Sequence, residues 1–215
     1  VIQMIYYKEN GDKVNIKKGT SLGRSVYKID DDKCIKIGID PRNVSLNTLK
    51  LIRELDLAGI YKIYDILFDK DNNFTAYTCK MYQKEMIDLY LMPSEYIIEN
   101  YLRLKKAIEE LTNNKIFVVD LHDENVIVNS REMIIIDTDL YVISEYIKSN
   151  KLEEYNYKAL RELFIKLFEV SYCRYHHIDR LLWKKDIGGL FKEEDDNEIV
   201  KTLTRCKYPI DYVYK

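Results

Sequence analysis

The sequence predicts an α+β fold, with a small β-rich first part and a mainly helical second part. Three observations favour it: residues 6–38 are strand-like, the composition changes near Gln83, and two strong amphipathic helical patterns follow. The 215 residues suffice for a single domain with one continuous core. We therefore expect one domain over residues 1–215, divided into a first part over 1–82 and a second over 83–215.

Charge and composition exclude several classes of protein. The 34 Lys and Arg residues nearly balance the 36 Asp and Glu residues, so the net charge of −2 argues against nucleic-acid or acidic-membrane partners. The apolar runs are far shorter than the roughly 18 to 20 residues that cross a bilayer, so no membrane span is expected. The N-terminus has no signal-peptide pattern, and the four cysteines lack C-x-x-C spacing. We expect reduced thiols and a cytoplasmic location.

In the first part, turn-forming residues divide 6–38 into a predicted meander of about three strands. A helix is predicted over 45–56, where leucine and isoleucine recur at helical spacing. Two further strands are predicted over residues 60–68 and 74–82, on either side of a polar turn. The first part is therefore expected to run β-β-β-α-β-β.

In the second part, Ser94 is a suitable N-cap for a helix that ends near Asn113. A second apolar stripe predicts a buried helix over residues 157–169, and a weaker helical pattern continues to Thr204. Between the two helices, short apolar strands are predicted over residues 116–119, 126–128 and 133–136.

Acids and an amide stand at the ends of these apolar strands. Asp120 follows the first strand, Asn125 precedes the second, and Asp137 follows the third. Carboxylates beside an apolar core are costly unless they are paired or bind a cation. Mg²⁺ prefers oxygen ligands and commonly takes one or two protein carboxylates, with waters and phosphates completing its shell. The pattern thus indicates either a hydrogen-bonded turn or a metal site.

This segment resembles the catalytic segment of the protein-kinase-like superfamily, which includes protein kinases and the aminoglycoside and choline kinases. Asp120 and Asn125 match the family's D-x-x-x-x-N pattern, and Asp137 stands where a second metal-binding Asp follows a hairpin. The resemblance implies a two-lobed fold with a truncated helical lobe, and it implies ATP and Mg²⁺ as cofactors. In that family Asp120 would be the catalytic residue that orients or deprotonates the attacking hydroxyl, while Asn125 and Asp137 would bind the metal.

The first part resembles the nucleotide-binding strands of the same family. Residues 19–29 are similar to its phosphate-covering hairpin, Lys36 to its phosphate-binding strand lysine, and residues 78–83 to the hinge that binds adenine. These elements occur in the family's order across about residues 15 to 170. The resemblance implies nucleotide contacts from Gly19, Ser21, Gly23, Val26, Lys36 and Met81.

Several positions depart from the family pattern. Val118 and Val119 stand where protein kinases usually carry His-Arg, so regulation by a phosphorylated loop is not expected. His122 is typical of small-molecule kinases, whereas the Asp-Glu-Asn that ends at Asn125 is closer to protein kinases. Asn156 stands near the place where protein kinases use an Asp to brace the catalytic loop.

Two questions stay open at this point. The family pairs the strand lysine with an acid on the following helix. Counting back from residues 60–65 places that position at Thr48, whereas counting forward from Lys36 places it at Glu54. Asp139 is either a second metal ligand or the cap of the next turn. The resemblance implies an ATP- and Mg²⁺-dependent phosphotransferase that acts on a hydroxyl group, and a protein Ser or Thr is the preferred acceptor. The alternatives are a small-molecule kinase and a pseudokinase that serves as a binding module.

Overall fold

The first half of the chain forms one seven-stranded antiparallel sheet, with strand order β2-β1-β6-β7-β5-β4-β3. The computed structural model describes residues 3–17, 19–23, 25–85, 87, 89 and 92–176. Five strands precede the first helix, where the sequence predicts about three, because β3 and β4 are too short to show an alternating pattern. The strands are β1 Gln3–Lys8, β2 Lys13–Lys17, β3 Ser21–Gly23, β4 Val26–Lys28, β5 Lys33–Ile37, β6 Ile63–Phe68 and β7 Phe74–Lys80.

Helix α1 spans Leu46–Leu55, close to the predicted 45–56. Ser45 caps its first turn by accepting a hydrogen bond from the Thr48 N–H at 3.3 Å, and Asp56 ends it in the left-handed conformation. The turn after β1 holds this helix through Glu9, whose carboxylate pairs with Lys50 at 3.0 Å and with Arg53. Helix α1 is thereby fixed against the edge of the sheet that carries β1 and β2.

The second half contains two long helices and four short strands. The elements are α2 Ser94–Asn113, β8 Ile116–Phe117, β9 Val126–Val128, β10 Met133–Ile135, β11 Val142–Ile143 and α3 Ser149–His176. Strands β9 and β10 form a hairpin, whereas the antiparallel pair β8 with β11 joins residues on either side of the predicted site, and β11 is not anticipated by the sequence. Helix α2 begins at Ser94 itself, with Pro93 in the cap position, and α3 begins earlier than its predicted stripe.

Two sequence predictions fall partly beyond these residues. The weak helical pattern that runs to Thr204 continues past His176, and two of the four cysteines expected as reduced thiols, Cys206 and the side chain of Cys173, lie outside the part described here. Cys34 and Cys79 are buried free thiols on the paired strands β5 and β7, with their sulfur atoms 3.3 Å apart. Within the described ranges, no helix has the length and apolar character needed to span a membrane.

The main core joins two groups of elements. Between α2, α3 and the short strands, Leu104, Ile108 and Leu111 of α2 are fully buried, and the ring of Phe164 from α3 packs edge-on against Tyr101 at 5.1 Å between ring centres. Burial of such side chains contributes about 1.5 to 3 kcal/mol each. Helix α1 contacts the sheet at β6, and its Leu49 and Ile52 are buried in the same core.

The loop between α1 and β6 joins the sheet to β10. Ile135 donates its N–H to the Gly59 carbonyl at 2.8 Å, and Tyr61 donates to the Ile135 carbonyl at 2.9 Å, so Ile60 and Ile135 form a parallel bridge. Gly59 has φ +97°, and a Cβ there would lie 2.8 Å from a Leu104 methyl carbon. We call Gly59, Ile60, Tyr61 and Ile135 the seam.

Candidate active site

Four of the strands place one row of residues side by side. In the register of β3, β4, β5 and β7, Gly23 is opposite Val26, Val26 is opposite Lys36, and Lys36 is opposite Tyr77. Directly paired residues on antiparallel strands project from the same face of a sheet. Gly23, Val26 and Tyr77 therefore share a face with Lys36, and the first two were predicted to contact a nucleotide.

The predicted phosphate hairpin is formed by β3 and β4. Gly19 donates its N–H to the Lys28 carbonyl at 3.1 Å, and a Cβ at Gly19 would collide with that oxygen, so close backbone approach requires glycine here. Ser21 donates its hydroxyl to the Gly23 carbonyl at 3.2 Å, and both residues are exposed. The hairpin stands open to solvent, and its nucleotide contacts stay a prediction.

Lys36 lies between two carboxylates from the end of β10. Its ammonium is 2.5 Å from Asp137 Oδ1 and 2.6 Å from Asp139 Oδ2. The Lys36 side chain is 16% exposed, Asp139 9% and Asp137 43%. Burial alone would lower the pKa of Lys36, but the charges of Asp139 and Asp137 outweigh it and raise that pKa. Lys36 is therefore charged, buried and doubly paired.

Two tyrosine hydroxyls extend this pair into a network. Tyr77 donates to Asp139 Oδ1 at 2.9 Å, and Tyr61 donates to the Tyr77 hydroxyl at 3.0 Å and lies 3.3 Å from Thr138 Oγ1. Burial raises the pKa of both tyrosines well above its usual value, so both hydroxyls keep their protons. We call Lys36, Tyr61, Tyr77, Thr138 and Asp139 the buried cluster. Every polar side chain in it has a partner within the cluster.

The acid expected on α1 does not pair with Lys36. Thr48 is buried, and its hydroxyl accepts a hydrogen bond from the Ile143 N–H at 3.3 Å. Glu54 is exposed to solvent. Among the described residues, the ion pairs of Lys36 go to Asp137 and Asp139 instead. Neither Thr48 nor Glu54, the two positions that the sequence offered, is therefore the ion-pair partner of Lys36.

The D-x-x-x-x-N segment forms a second, more open group of side chains. Asn125 donates its amide to the Asp120 carbonyl at 2.9 Å and lies 3.1 Å from His122 Nε2. His122 Nδ1 accepts the Glu124 N–H at 3.3 Å and so caps a short 3₁₀ turn. The Asp120 side chain is 49% exposed. We call Asp120, His122 and Asn125 the open cluster.

The β9–β10 hairpin brings Asn125 and Asp137 to one end. Val126 pairs with Ile135, and the next residue, Ile136, donates its N–H to the Asn125 carbonyl at 2.8 Å. Asp120 has φ +62° and Asp137 has φ +60°, a left-handed backbone that costs about 1 to 2 kcal/mol for most L-residues and least for Asp and Asn. Such strained positions concentrate at functional sites.

Asn156 of α3 fixes the backbone that leads into Asp120. This side chain is fully buried, accepts the Val118 N–H at 2.9 Å and donates to the Ile116 carbonyl at 2.9 Å and to Thr112 Oγ1 at 2.8 Å. A buried amide with all three contacts holds a chain segment firmly. Asn156 thus braces the segment before Asp120, where the resemblance implies an Asp in protein kinases.

Met81 follows directly after β7 and is partly buried against the core. Its N–H donates to the Asp32 carbonyl at 2.7 Å, so this donor is engaged within the chain. Adenine binding at residues 78–83 stays a prediction, and it would use other main-chain groups of this segment. Among the described residues, no hydrogen bond joins Met81 to the buried cluster.

Tyr141 is a site residue that the sequence does not reveal. Its side chain is 1% exposed, and within the described part of the chain its hydroxyl has no hydrogen-bond partner. Burial raises its pKa, and the negative charges of Asp120 and Asp137 raise it further. The Tyr141 main-chain N–H donates to the Thr138 carbonyl at 3.0 Å, in the turn that contains Asp139. Nothing in the sequence distinguishes Tyr141 from the other 18 tyrosines.

The donor set fits a Mg²⁺ ion better than a closed protein metal site. Among the described residues, His, Cys, Asp and Glu side chains form no group of three or more suited to a metal. Mg²⁺ needs fewer protein ligands, because waters and phosphates complete its shell. Asp137 offers a carboxylate that is 43% exposed, and the amide nitrogen of Asn125 donates to the Asp120 carbonyl, which leaves the Asn125 amide oxygen available to a cation.

The fold is similar to that of a known viral enzyme. No protein-family model matches the sequence, and none of the curated proteins is similar to it. The structure of the kinase PK-1 of the Cydia pomonella granulovirus matches this chain with a TM-score of 0.54 and 15% sequence identity. The match covers 89% of this chain and 86% of that one. The chain therefore has a mixed α+β, kinase-like fold.

Proposed function

We propose that the chain is an ATP- and Mg²⁺-dependent phosphotransferase that transfers the γ-phosphate to a hydroxyl group, with protein Ser or Thr as acceptor. The observation that carries this proposal is the ion pair between Lys36 and Asp137, which are 101 residues apart in sequence. A lysine on a sheet strand, beside an acid at the end of a hairpin, is the arrangement that phosphoryl transfer needs for neutralising phosphate charge. The proposal includes a two-lobed arrangement with the nucleotide between the lobes.

Each group has a distinct role in this proposal. Lys36 binds the α and β phosphates, and the hairpin of β3 and β4 covers them with backbone N–H groups. Asn125 and Asp137 hold Mg²⁺, which when bound neutralises charge on the phosphates. Asp120 orients the acceptor hydroxyl and receives its proton. Its exposure fits that task, because the acceptor must reach it from solvent.

A protein acceptor is supported by the surface that follows Asp139. Leu140, in the turn after Asp139, and Val142 and Ile143 of β11 are 44%, 38% and 38% exposed, so three apolar side chains within four residues of Asp139 reach solvent. Grouped exposed apolar side chains favour contact with another polypeptide. His122 is equally compatible with a small hydroxylated molecule, so both acceptor classes belong in the test.

The test is γ-phosphate transfer from radiolabelled ATP with Mg²⁺, to the chain itself, to a generic protein, and to aminoglycosides, choline and sugars. Asp120→Asn and Asp137→Asn keep the left-handed backbone, which Asn tolerates, and change only the carboxylates. We expect Asp120→Asn to lower transfer by about 10²- to 10⁴-fold with little change in Mg-ATP binding. Asp137→Asn should weaken both.

Glu124→Gln is the matched control, since Glu124 is an exposed acid in the 3₁₀ turn that follows Asp120. It should transfer phosphate at the wild-type rate. Thermal stabilisation by Mg-ATP without consumption of γ-phosphate on any acceptor would replace the proposal by a nucleotide-binding pseudokinase. Wild-type turnover in both the Asp120 and the Asp137 variants would reject it altogether.

A further inference from the structure

We infer that Asp139 is the residue that positions Lys36 for the nucleotide, in the place that the superfamily gives to an acid on helix α1. This inference rests on the proposed function and adds a residue that the sequence leaves undecided between a metal ligand and a turn cap. Asp139 acts through Lys36 and is a positioning residue. Four observations support it.

First, both oxygens of Asp139 are already in use. Oδ2 lies 2.6 Å from the Lys36 ammonium, and Oδ1 accepts the Tyr77 hydroxyl at 2.9 Å. A carboxylate held at both oxygens is fixed in orientation, and charge-assisted bonds of this length are the stronger kind. Asp139 therefore presents one oxygen to Lys36 in a single direction.

Second, the two acids beside Lys36 differ in access to solvent. Asp139 is 9% exposed, whereas Asp137 is 43% exposed and has the open position that a Mg²⁺ ion and its waters require. A Mg²⁺ ion held by Asp137 would neutralise part of that carboxylate's charge, and Asp139 would then be the carboxylate that keeps Lys36 in place. The two acids are thus suited to different tasks.

Third, the sheet register directs Lys36 and Tyr77 toward the same carboxylate. The two residues are directly opposite each other on β5 and β7, so their side chains leave the sheet on one face and converge on Asp139. The position of the Lys36 amine is therefore set by the sheet and the segment after β10. Helix α1 contributes nothing to it among the described contacts.

Fourth, the charges of α1 are occupied elsewhere. Lys50 and Arg53 pair with Glu9, and Glu54 is exposed. Among the described residues, no acid of α1 pairs with Lys36, and the helix instead contacts β6 and, through the Thr48 hydroxyl, the Ile143 N–H of β11. An acid on α1 is not needed, because the loop that follows the metal strand supplies one.

The experiment compares Asp139→Asn with Glu54→Gln, each measured against wild type for Mg-ATP binding, for kcat and KM of ATP, and for half-saturating Mg²⁺. Loss of a charged hydrogen bond to Lys36 should lower kcat/KM for ATP by about 10- to 100-fold in Asp139→Asn. Half-saturating Mg²⁺ should stay at the wild-type value. Glu54→Gln should match wild type in every measurement.

Two further variants make the result decisive. Asp137→Asn should raise half-saturating Mg²⁺, which separates a metal ligand from a positioning residue. Tyr77→Phe frees Asp139 Oδ1 and should lower kcat/KM in the same direction but by less, about threefold to tenfold. It keeps the inference testable if Asp139→Asn does not fold, as judged by thermal unfolding.

The outcomes separate the two proposals. Wild type that neither binds Mg-ATP nor transfers phosphate rejects the proposed function and this inference together. An active wild type with unchanged kcat/KM in Asp139→Asn, or with a large loss in Glu54→Gln, rejects only the role of Asp139. A rise in half-saturating Mg²⁺ in Asp139→Asn equal to that in Asp137→Asn shows a metal ligand and also rejects it.

Discussion

The buried cluster and the open cluster hold their carboxylates in opposite ways. In the buried cluster, Asp139 is enclosed and contacts Lys36 and Tyr77 through its side chain. In the open cluster, the Asp120 carboxylate is 49% exposed, and its side-chain contacts are longer, 3.4 Å to the Asn125 amide and 3.5 Å to His122 Nε2. Asn156 also braces the backbone that leads into Asp120. Short side-chain contacts thus preorganise the part proposed to bind the nucleotide, whereas the part proposed to meet the acceptor has looser contacts and stays accessible.

The largest effect should come from removing the brace of the open cluster. Asn156→Ala leaves the Val118 N–H and the Ile116 carbonyl buried without partners, at a cost of about 3 kcal/mol in the free energy of unfolding. Urea unfolding measures this change. Asn150→Ala is the control, since Asn150 is exposed at the start of the same helix. A loss below about 1 kcal/mol would show that the segment before Asp120 is held by other contacts.

A smaller effect should follow from a change within the buried cluster. Tyr77→Phe removes the donor to Asp139 and the acceptor of the Tyr61 hydroxyl, and we expect unfolding free energy to fall by about 1 to 2 kcal/mol. Thermal or urea unfolding tests it. Tyr64→Phe is matched in chemistry, but its hydroxyl bonds to Asp32 near solvent, so its loss should be smaller. Equal losses would mean that burial adds nothing to these hydrogen bonds.

Outside both clusters, the contribution of Glu9, which holds α1, to the free energy of unfolding should depend modestly on pH. Hydrogen bonds and charge from Arg53 and Lys50 lower the pKa of Glu9 below its ordinary value of 4.5. The ionised Glu9 therefore stabilises the folded chain above that value, and the stabilisation is lost as pH falls through the lower folded pKa. Glu9→Gln should cost about 0.5 to 1 kcal/mol at neutral pH and almost nothing in strong acid.

Unfolding of wild type and Glu9→Gln across acid pH, at low and high salt, measures this difference. The difference in unfolding free energy between wild type and Glu9→Gln should shrink with added salt, because exposed ion pairs are screened. A difference that stays constant down to strong acid would show that Glu9 stabilises the chain by packing and that its charge has no effect.

The smallest effect on stability should come from His122 in the open cluster. Its ring caps a single 3₁₀ turn and is partly exposed, so His122→Ala should change unfolding free energy by less than about 0.5 kcal/mol. Transfer should fall by less than in Asp120→Asn, since His122 only orients its neighbours. A stability loss as large as that of Asn156→Ala would mean that the open cluster is held by its own side chains after all.

The regular elements could be predicted where local signals are complete. Helix α1 has a serine cap, an apolar stripe and a left-handed end, and its structure matches the prediction within a residue at each end. The short strands β3 and β4 escape prediction because three residues show no periodicity. Strand β11 escapes for the same reason, since only its pairing with β8 makes Val142–Ile143 a strand.

The site could be predicted only in part. Lys36 and Asp137 are brought together as the family order of motifs implies, and Asn125 lies at the same end of the hairpin as Asp137. The partner of Lys36 could not be predicted from α1, because a helix position counted along the chain says nothing about which face turns to the sheet. Asp139 carries a signal in retrospect: a second acid two residues after Asp137, beside the buried end of β10.

The seam has a mechanical consequence. Two backbone hydrogen bonds and a glycine that tolerates no side chain fasten the base of the sheet to the strand that ends beside Asp137. The end of β10 beside Asp137 is therefore held close to the start of β6, whereas β3 and β4 form one edge of the sheet and are separated from β6 by β7 and β5. Neither seam hydrogen bond involves the β3–β4 hairpin, so a change in the hairpin's position need not break the seam.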